Sequence, residues 1–132
     1  MHRLPLCLIA LALMLLPVNT HAQTLHDIRQ AKKTFEGAWG NKKEKRHLRI
    51  FVEKDGYVTI NDWVSKYQKQ ENGDAYKALI KKEKLVMPED AQHHAPYSEL
   101  TVKNSKLIYL TRYVDLKGKI NLERLIFVKE TW

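Results

Sequence analysis

The sequence predicts a mainly β protein, an antiparallel meander closing into a small barrel, with one short helix ahead of the first strand. Three observations carry this. From His47 to Val64, apolar and polar residues alternate on both sides of Lys54-Asp55-Gly56, the pattern of a half-buried hairpin. Short strand-like runs separated by turn residues continue to the end of the chain, and a meander of this length closes on itself to bury its edges. Before them, apolar residues between Thr24 and Phe35 recur at helical spacing.

In the helix, Thr24 or Asp27 can cap the first turn, and Leu25, Ile28, Ala31 and Phe35 fall on one face. That face is a core-packing stripe. Gly37 ends the helix, Trp39-Gly40 follow, and the basic run from Asn41 to Arg46 reads as a loop or wet strand. The hairpin has two conceivable registers. A two-residue turn pairs Val52 with Thr59. A three-residue turn, with Gly56 in the left-handed region, pairs Ile50 with Ile60 and gathers Leu48, Ile50, Val52, Val58 and Ile60 on one face. The second is the one a buried sheet face needs. It leaves Arg49, Phe51, Tyr57, Thr59, Asn61 and Trp63 outside, with Arg49 and Asp62 close enough for a surface ion pair.

Further strands are expected at Ala75 to Lys81, Lys84 to Met87, Tyr97 to Val102, Lys106 to Val114 and Ile120 to Lys129. Lys82-Glu83, Asn104-Ser105 and the segment around Gly118 supply turns. Pro88 to Pro96, with His93-His94, has no periodicity. The last strand is apolar on both faces, with Leu122, Ile126 and Val128 on one side and Leu125 and Phe127 on the other. That pattern predicts packing on each side.

Arg3, the apolar run from Leu4 to Leu16 and the small-residue ending at Ala22 read as a secretory signal peptide. The expected division is a leader at 1–22 and a single domain at 23–132. The apolar run is shorter than the roughly 20 residues a membrane-spanning helix needs, so the mature chain is expected to be exported, to the periplasm or beyond, with no transmembrane segment. Cys7 is the only cysteine and leaves with the leader, which removes disulfide and thiol chemistry. A small exported chain without disulfides suits a bacterial envelope.

The whole chain carries 23 Lys plus Arg against 15 Asp plus Glu, a net charge of +8. Lys42, Lys43, Lys45 and Arg46 form the densest basic surface, and Lys81, Lys82 and Lys84 a second one. Such surfaces attract polyanions. Export argues against nucleic acid and leaves envelope polymers and lipid head groups.

Catalytic patterns are missing from the sequence. Ser65, Ser98 and Ser105 lie in no Gly-x-Ser-x-Gly elbow. His26, His47, His93 and His94 do not make a zinc set. The carboxylates that could work as pairs, Asp62 with Glu53 and Asp115 with Glu123, have lysines and arginines to face. The expectation is a non-enzymatic protein with no cofactor and no metal.

Phe35-Glu36-Gly37-Ala38-Trp39, followed by Leu48-Arg49-Ile50 and then Asp55-Gly56-Tyr57-Val58, resembles the opening of lipocalin-like small barrels. The resemblance implies that Trp39 packs across one barrel end against the N-terminal helix, and it offers Arg124 as the later basic residue that closes that end. Ligand-binding candidates are Trp39, Phe51, Tyr57 and Trp63. Two functions are open: a module for a small apolar or amphipathic ligand or a peptide, and an interaction protein. The second would use its basic and aromatic surface on an anionic envelope polymer, a membrane surface, a protein partner or another copy of itself. N-terminal sequencing of the exported protein is expected to begin at Gln23; material beginning at Met1 would contradict the leader.

Overall fold

The computed structural model describes residues 23–131, so the segment 1–22, where a leader is expected, lies outside the described residues. Helix α1 spans Leu25–Phe35. Its N-cap is Thr24, whose hydroxyl accepts from the Asp27 N–H at 3.0 Å. The strands are β1 (Gly37–Asn41), β2 (Arg46–Val52), β3 (Tyr57–Val64), β4 (Asp74–Lys81), β5 (Lys84–Met87), β6 (Tyr97–Lys103), β7 (Lys106–Val114) and β8 (Ile120–Glu130). Each pairs antiparallel with the next, and β1 pairs with β8, so the eight strands close into a barrel. This is the general lipocalin-like barrel with an N-terminal helix.

The hairpin takes the three-residue register. Ile50 faces Ile60 and Val52 faces Val58. Gly56 has φ +90°, and the Glu53 N–H donates to the Tyr57 carbonyl at 2.8 Å. The alternation then sends Leu48, Ile50, Val58 and Ile60 inward, where they are fully buried with Leu85, Leu100, Leu107 and Phe127. Asn104 and Ser105 both sit at positive φ in the β6–β7 turn, the geometry that matches the twist of a tight hairpin.

One end of the barrel is plugged. Ala31 and Phe35 of α1 join the core, with Ile28 packed against it, while Leu25 stays exposed. Trp39 is 2% exposed and its indole N–H donates to the Phe35 carbonyl at 2.8 Å. Lys129 stands opposite Trp39 across the β1–β8 seam. Its ammonium lies 4.5 Å from the centre of the indole and donates to the Glu36 carbonyl at 2.7 Å. Gly37 makes room for it: at φ +138°, a Cβ there would lie 2.9 Å from Lys129 Cε and Nζ. The basic residue that closes the barrel end is therefore Lys129 and not Arg124, which is exposed far along β8.

A second expectation also needs correcting. Strand β8 packs on its inner side only, through Phe127 and Leu125. Leu122, Ile126 and Val128 on its outer side are exposed.

Trp39→Ala is expected to cost about 3–5 kcal/mol in urea unfolding, as loss of a large buried aromatic does. Gly37→Ala is expected to destabilise more than Gly118→Ala. The φ of +138° at Gly37 is farther from anything alanine adopts than the +79° at Gly118, and an added Cβ at Gly37 also displaces the Lys129 ammonium while one at Gly118 meets nothing within 4 Å. Equal losses would contradict the clamp.

Candidate functional site

The other end of the barrel is open. The β1–β2, β3–β4, β5–β6 and β7–β8 connections surround it, and it holds a cavity of about 620 Å³. The floor of this cavity follows from strand alternation. Counting back from Ile50 and Leu48, the next inward position on β2 is Arg46. Counting on from Val58 and Ile60, the next on β3 is Asp62. The two meet in a bidentate pair, Nε to Oδ1 at 2.9 Å and Nη2 to Oδ2 at 2.6 Å. The guanidinium lies 4.9 Å from the centre of the Tyr109 ring. Asp62 is buried. Its hydrogen bond and charge raise the Arg46 pKa further, against the opposing effect of burial. The ion pair expected between Arg49 and Asp62 is thus replaced: Arg49 stands opposite Asn61 on the outer face.

Above the pair, Tyr76, Tyr109, Met87 and Pro88 form walls, Ser98, Thr111 and Glu123 add polar groups, and the loop carrying Asp90, His93 and His94 forms the rim. The Ser98 hydroxyl donates to that of Thr111 at 3.3 Å. The Tyr76 phenol is pushed well above its ordinary value, first by burial and then by the carboxylates of Asp62 and Asp74. Burial, then Asp62, raises Tyr109 as well. Both rings therefore present neutral hydroxyls. The segment between Pro88 and Pro96, which has no periodicity, is held together by Asp90. Its backbone exchanges two hydrogen bonds of 2.9 Å with Ala95, and its carboxylate meets His93 Nδ1 at 2.7 Å. That side-chain bond to His93 holds the Asp90 carboxyl below its usual range. The mouth carries both signs of charge: Asp90 and Glu123 line it as acids, and the Arg46 guanidinium at its floor is matched by Asp62.

The residues singled out from the sequence fall in four places. Trp39 is in the plug, at the opposite end from the cavity. Phe51 and Tyr57 are exposed on the barrel exterior, where Lys77 Nζ lies 5.8 Å from the Tyr57 ring centre. Trp63 also faces out and stacks on His47 at 5.2 Å between ring centres. Lys42, Lys43 and Lys45 are exposed in the β1–β2 turn, whereas Arg46 leaves that basic surface and enters the barrel. Of all these candidates, only Arg46 lines the 620 Å³ cavity.

A second cluster sits outside the barrel. His47 Nδ1 is 2.9 Å from Glu130 Oε1, and His47 Nε2 is 3.1 Å from Ser65 Oγ. This is the order of a serine–histidine–carboxylate relay. The Ser65 hydroxyl is also 3.1 Å from the Lys45 carbonyl, to which it can donate instead. The chain ties the ends of β2, β3 and β8 beside a smaller cavity of about 340 Å³. Its members are 18 and 83 residues apart, so no local motif marks it. Among the described residues no group of three or more His, Cys, Asp or Glu is placed to hold a metal ion, and no helix is long and apolar enough to cross a membrane. No known protein family, curated protein or solved structure matches this chain.

Asp62→Ala is expected to cost about 3 kcal/mol, because it leaves the partly buried Arg46 guanidinium without its carboxylate. Tyr76 and Tyr109 give a pH signature. A phenol whose folded pKa is raised above the ordinary value of about 10 contributes stability that is complete below that value and is lost as pH rises through the folded one. Alkaline titration followed by tyrosinate absorbance is expected to show part of the phenols ionising late, together with unfolding. Complete ionisation near pH 10 with the fold intact would contradict the surroundings assigned to Tyr76 and Tyr109.

Proposed function

We propose that the protein is an exported, non-enzymatic binding module that takes a small amphipathic ligand in the open mouth of its barrel. The observation that carries this is the cavity of about 620 Å³ over the Arg46–Asp62 floor. Its volume falls in the range of small-molecule sites, roughly 300–1,000 Å³, and its lining is nearly as polar as it is apolar, which suits an amphipathic ligand over a purely apolar one. Below the floor the interior is filled by Leu48, Ile60, Leu100 and Leu107. A long apolar chain threaded down the barrel axis has no room. The ligand therefore sits in the mouth, with apolar parts against Met87, Pro88 and Tyr109 and polar parts against Arg46, Ser98 and Thr111.

Native mass spectrometry of the protein recovered from its own host is expected to show a retained small molecule. Thr111→Trp, which fills the mouth, should lose it, and Trp63→Ala, on the exterior, should keep it. A ligand retained equally by both variants, or by neither, would contradict the mouth as the site.

A second reading has one specific observation in its favour, the Ser65–His47–Glu130 chain. In an acyl-transfer reaction Ser65 Oγ would attack the acyl carbon while His47 Nε2 took its proton, and the bond to the original alcohol or amine would then break as His47 returned the proton to that leaving group. The Lys45 carbonyl competes for that hydroxyl, which favours a structural tie between strands. A fluorophosphonate probe is expected to leave Ser65 unlabelled; labelling that disappears in Ser65→Ala and in His47→Ala would establish the nucleophile.

A further inference from the structure

The β7–β8 hairpin outgrows the barrel. Strand β6 follows β7 only as far as Arg112, and β1 meets β8 only from Val128 to Glu130. The segment from Tyr113 to Leu122 is therefore a two-stranded ribbon, with no third strand beside it among the described residues. Such a ribbon alone is marginal in water, and this one holds apolar side chains in the open. Val114, Ile120 and Leu122 are 60%, 62% and 64% exposed, and Leu116 at the tip is fully exposed. Strand pairing places Val114 beside Ile120, and Arg112 beside Leu122, on one face.

The tip is an ordered turn. The Asp115 carboxylate accepts from the backbone N–H groups of Lys117 and Lys119, at 2.9 Å each, and the Asp115 N–H donates to the Lys119 carbonyl at 2.9 Å. This turn organises Asp115 inward and leaves Leu116 outward. Arg112, Lys117, Lys119 and Arg124 surround the apolar group, and all are exposed. Glu123 belongs to the cavity lining, and the Asp115 charge is taken up by backbone N–H groups.

We propose that this ribbon docks the protein on an anionic phospholipid surface. Leu116 and the neighbouring apolar side chains enter the headgroup boundary, and the four cations meet lipid phosphates. Exposed apolar residues beside lysine and arginine are what such an interface takes up. Charge selects the occupant. A second copy would bring the same four cations on a chain of net charge +8, whereas an anionic bilayer complements both parts of the surface. Docking here also turns the barrel mouth toward the lipid, because Arg112, Tyr113 and Val114 share a surface hollow with His94 and Pro96 of the mouth loop. That last consequence rests on the ligand reading above; the docking itself does not.

The test is sedimentation of the purified protein with vesicles of phosphatidylglycerol and phosphatidylcholine, against vesicles of phosphatidylcholine alone. Binding is expected only with phosphatidylglycerol, and it should weaken as salt rises. Leu116→Asp should lower the partition coefficient roughly tenfold or more, as expected for losing one buried leucine side chain. Lys117→Ala and Lys119→Ala should each lower it about fivefold. All three positions are exposed, so circular dichroism should show the fold intact. Replacing Lys42, Lys43 and Lys45 by alanine should have a much smaller effect. Absence of binding, binding unchanged in Leu116→Asp, or equal loss from the Lys42, Lys43 and Lys45 changes would overturn the proposal. So would a concentration-dependent dimer in size exclusion that Leu116→Asp dissociates, which would make a second copy the occupant.

Discussion

The barrel depends on the contact between Trp39 and Lys129. One indole and one ammonium join the helix exit, the first strand and the last. The indole N–H satisfies the Phe35 carbonyl, the ammonium satisfies the Glu36 carbonyl, and the cation lies over the ring. Both carbonyls are at the end of α1, where backbone acceptors have no partner within the helix. The same contact thus finishes the helix and holds β8 against β1. That seam is short, three residue pairs from Ala38–Glu130 to Gly40–Val128. It is as short as the β4–β5 and β5–β6 ladders, and unlike them it joins the two ends of the chain, so side-chain support there decides whether the barrel closes.

Closing one end in this way determines what the other can do. The helix and the aliphatic layers occupy the interior as far as Arg46 and Asp62. Tyr109 is the last residue of the packed interior; from there outward the inward-facing positions are occupied by Tyr76, Ser98, Thr111 and Glu123, which cannot form a dry core. A buried ion pair adds little net stability over apolar packing. Here it marks the boundary at which the barrel changes from packed core to solvated mouth. A floor tied by a bidentate ion pair, and a rim loop organised on Asp90, favour a cavity that is formed in advance.

Much of the fold was legible in local pattern. The hairpin register followed from alternation together with Gly56, since only one register puts five aliphatic residues on one face. The Gly37-x-Trp39 opening correctly placed the tryptophan against the helix. What escaped depended on contacts distant in sequence or on reading charge ahead of phase. Lys129 is 93 residues from the Glu36 carbonyl it binds, and only the β1–β8 register brings them together. Arg46 read as part of a basic run with Lys42, Lys43 and Lys45. The alternation already visible at Leu48 and Ile50 puts it inside, and the phase of Val58 and Ile60 does the same for Asp62. The apolar outer face of β8 looked like a strand buried on both sides, because a buried strand and an exposed apolar ribbon share one sequence pattern.

The central claim is that the mouth, and not the aromatic exterior, is where this protein meets a small molecule. Backbone amide chemical shifts measured during titration with an extract of the host's small amphipathic molecules test it most directly. The account predicts shifts concentrated at Arg46, Tyr76, Met87, Ser98, Tyr109 and Thr111, with Phe35, Trp39 and the rest of the plug unmoved. Shifts concentrated at Phe51, Tyr57 and Trp63, with the mouth silent, would contradict it.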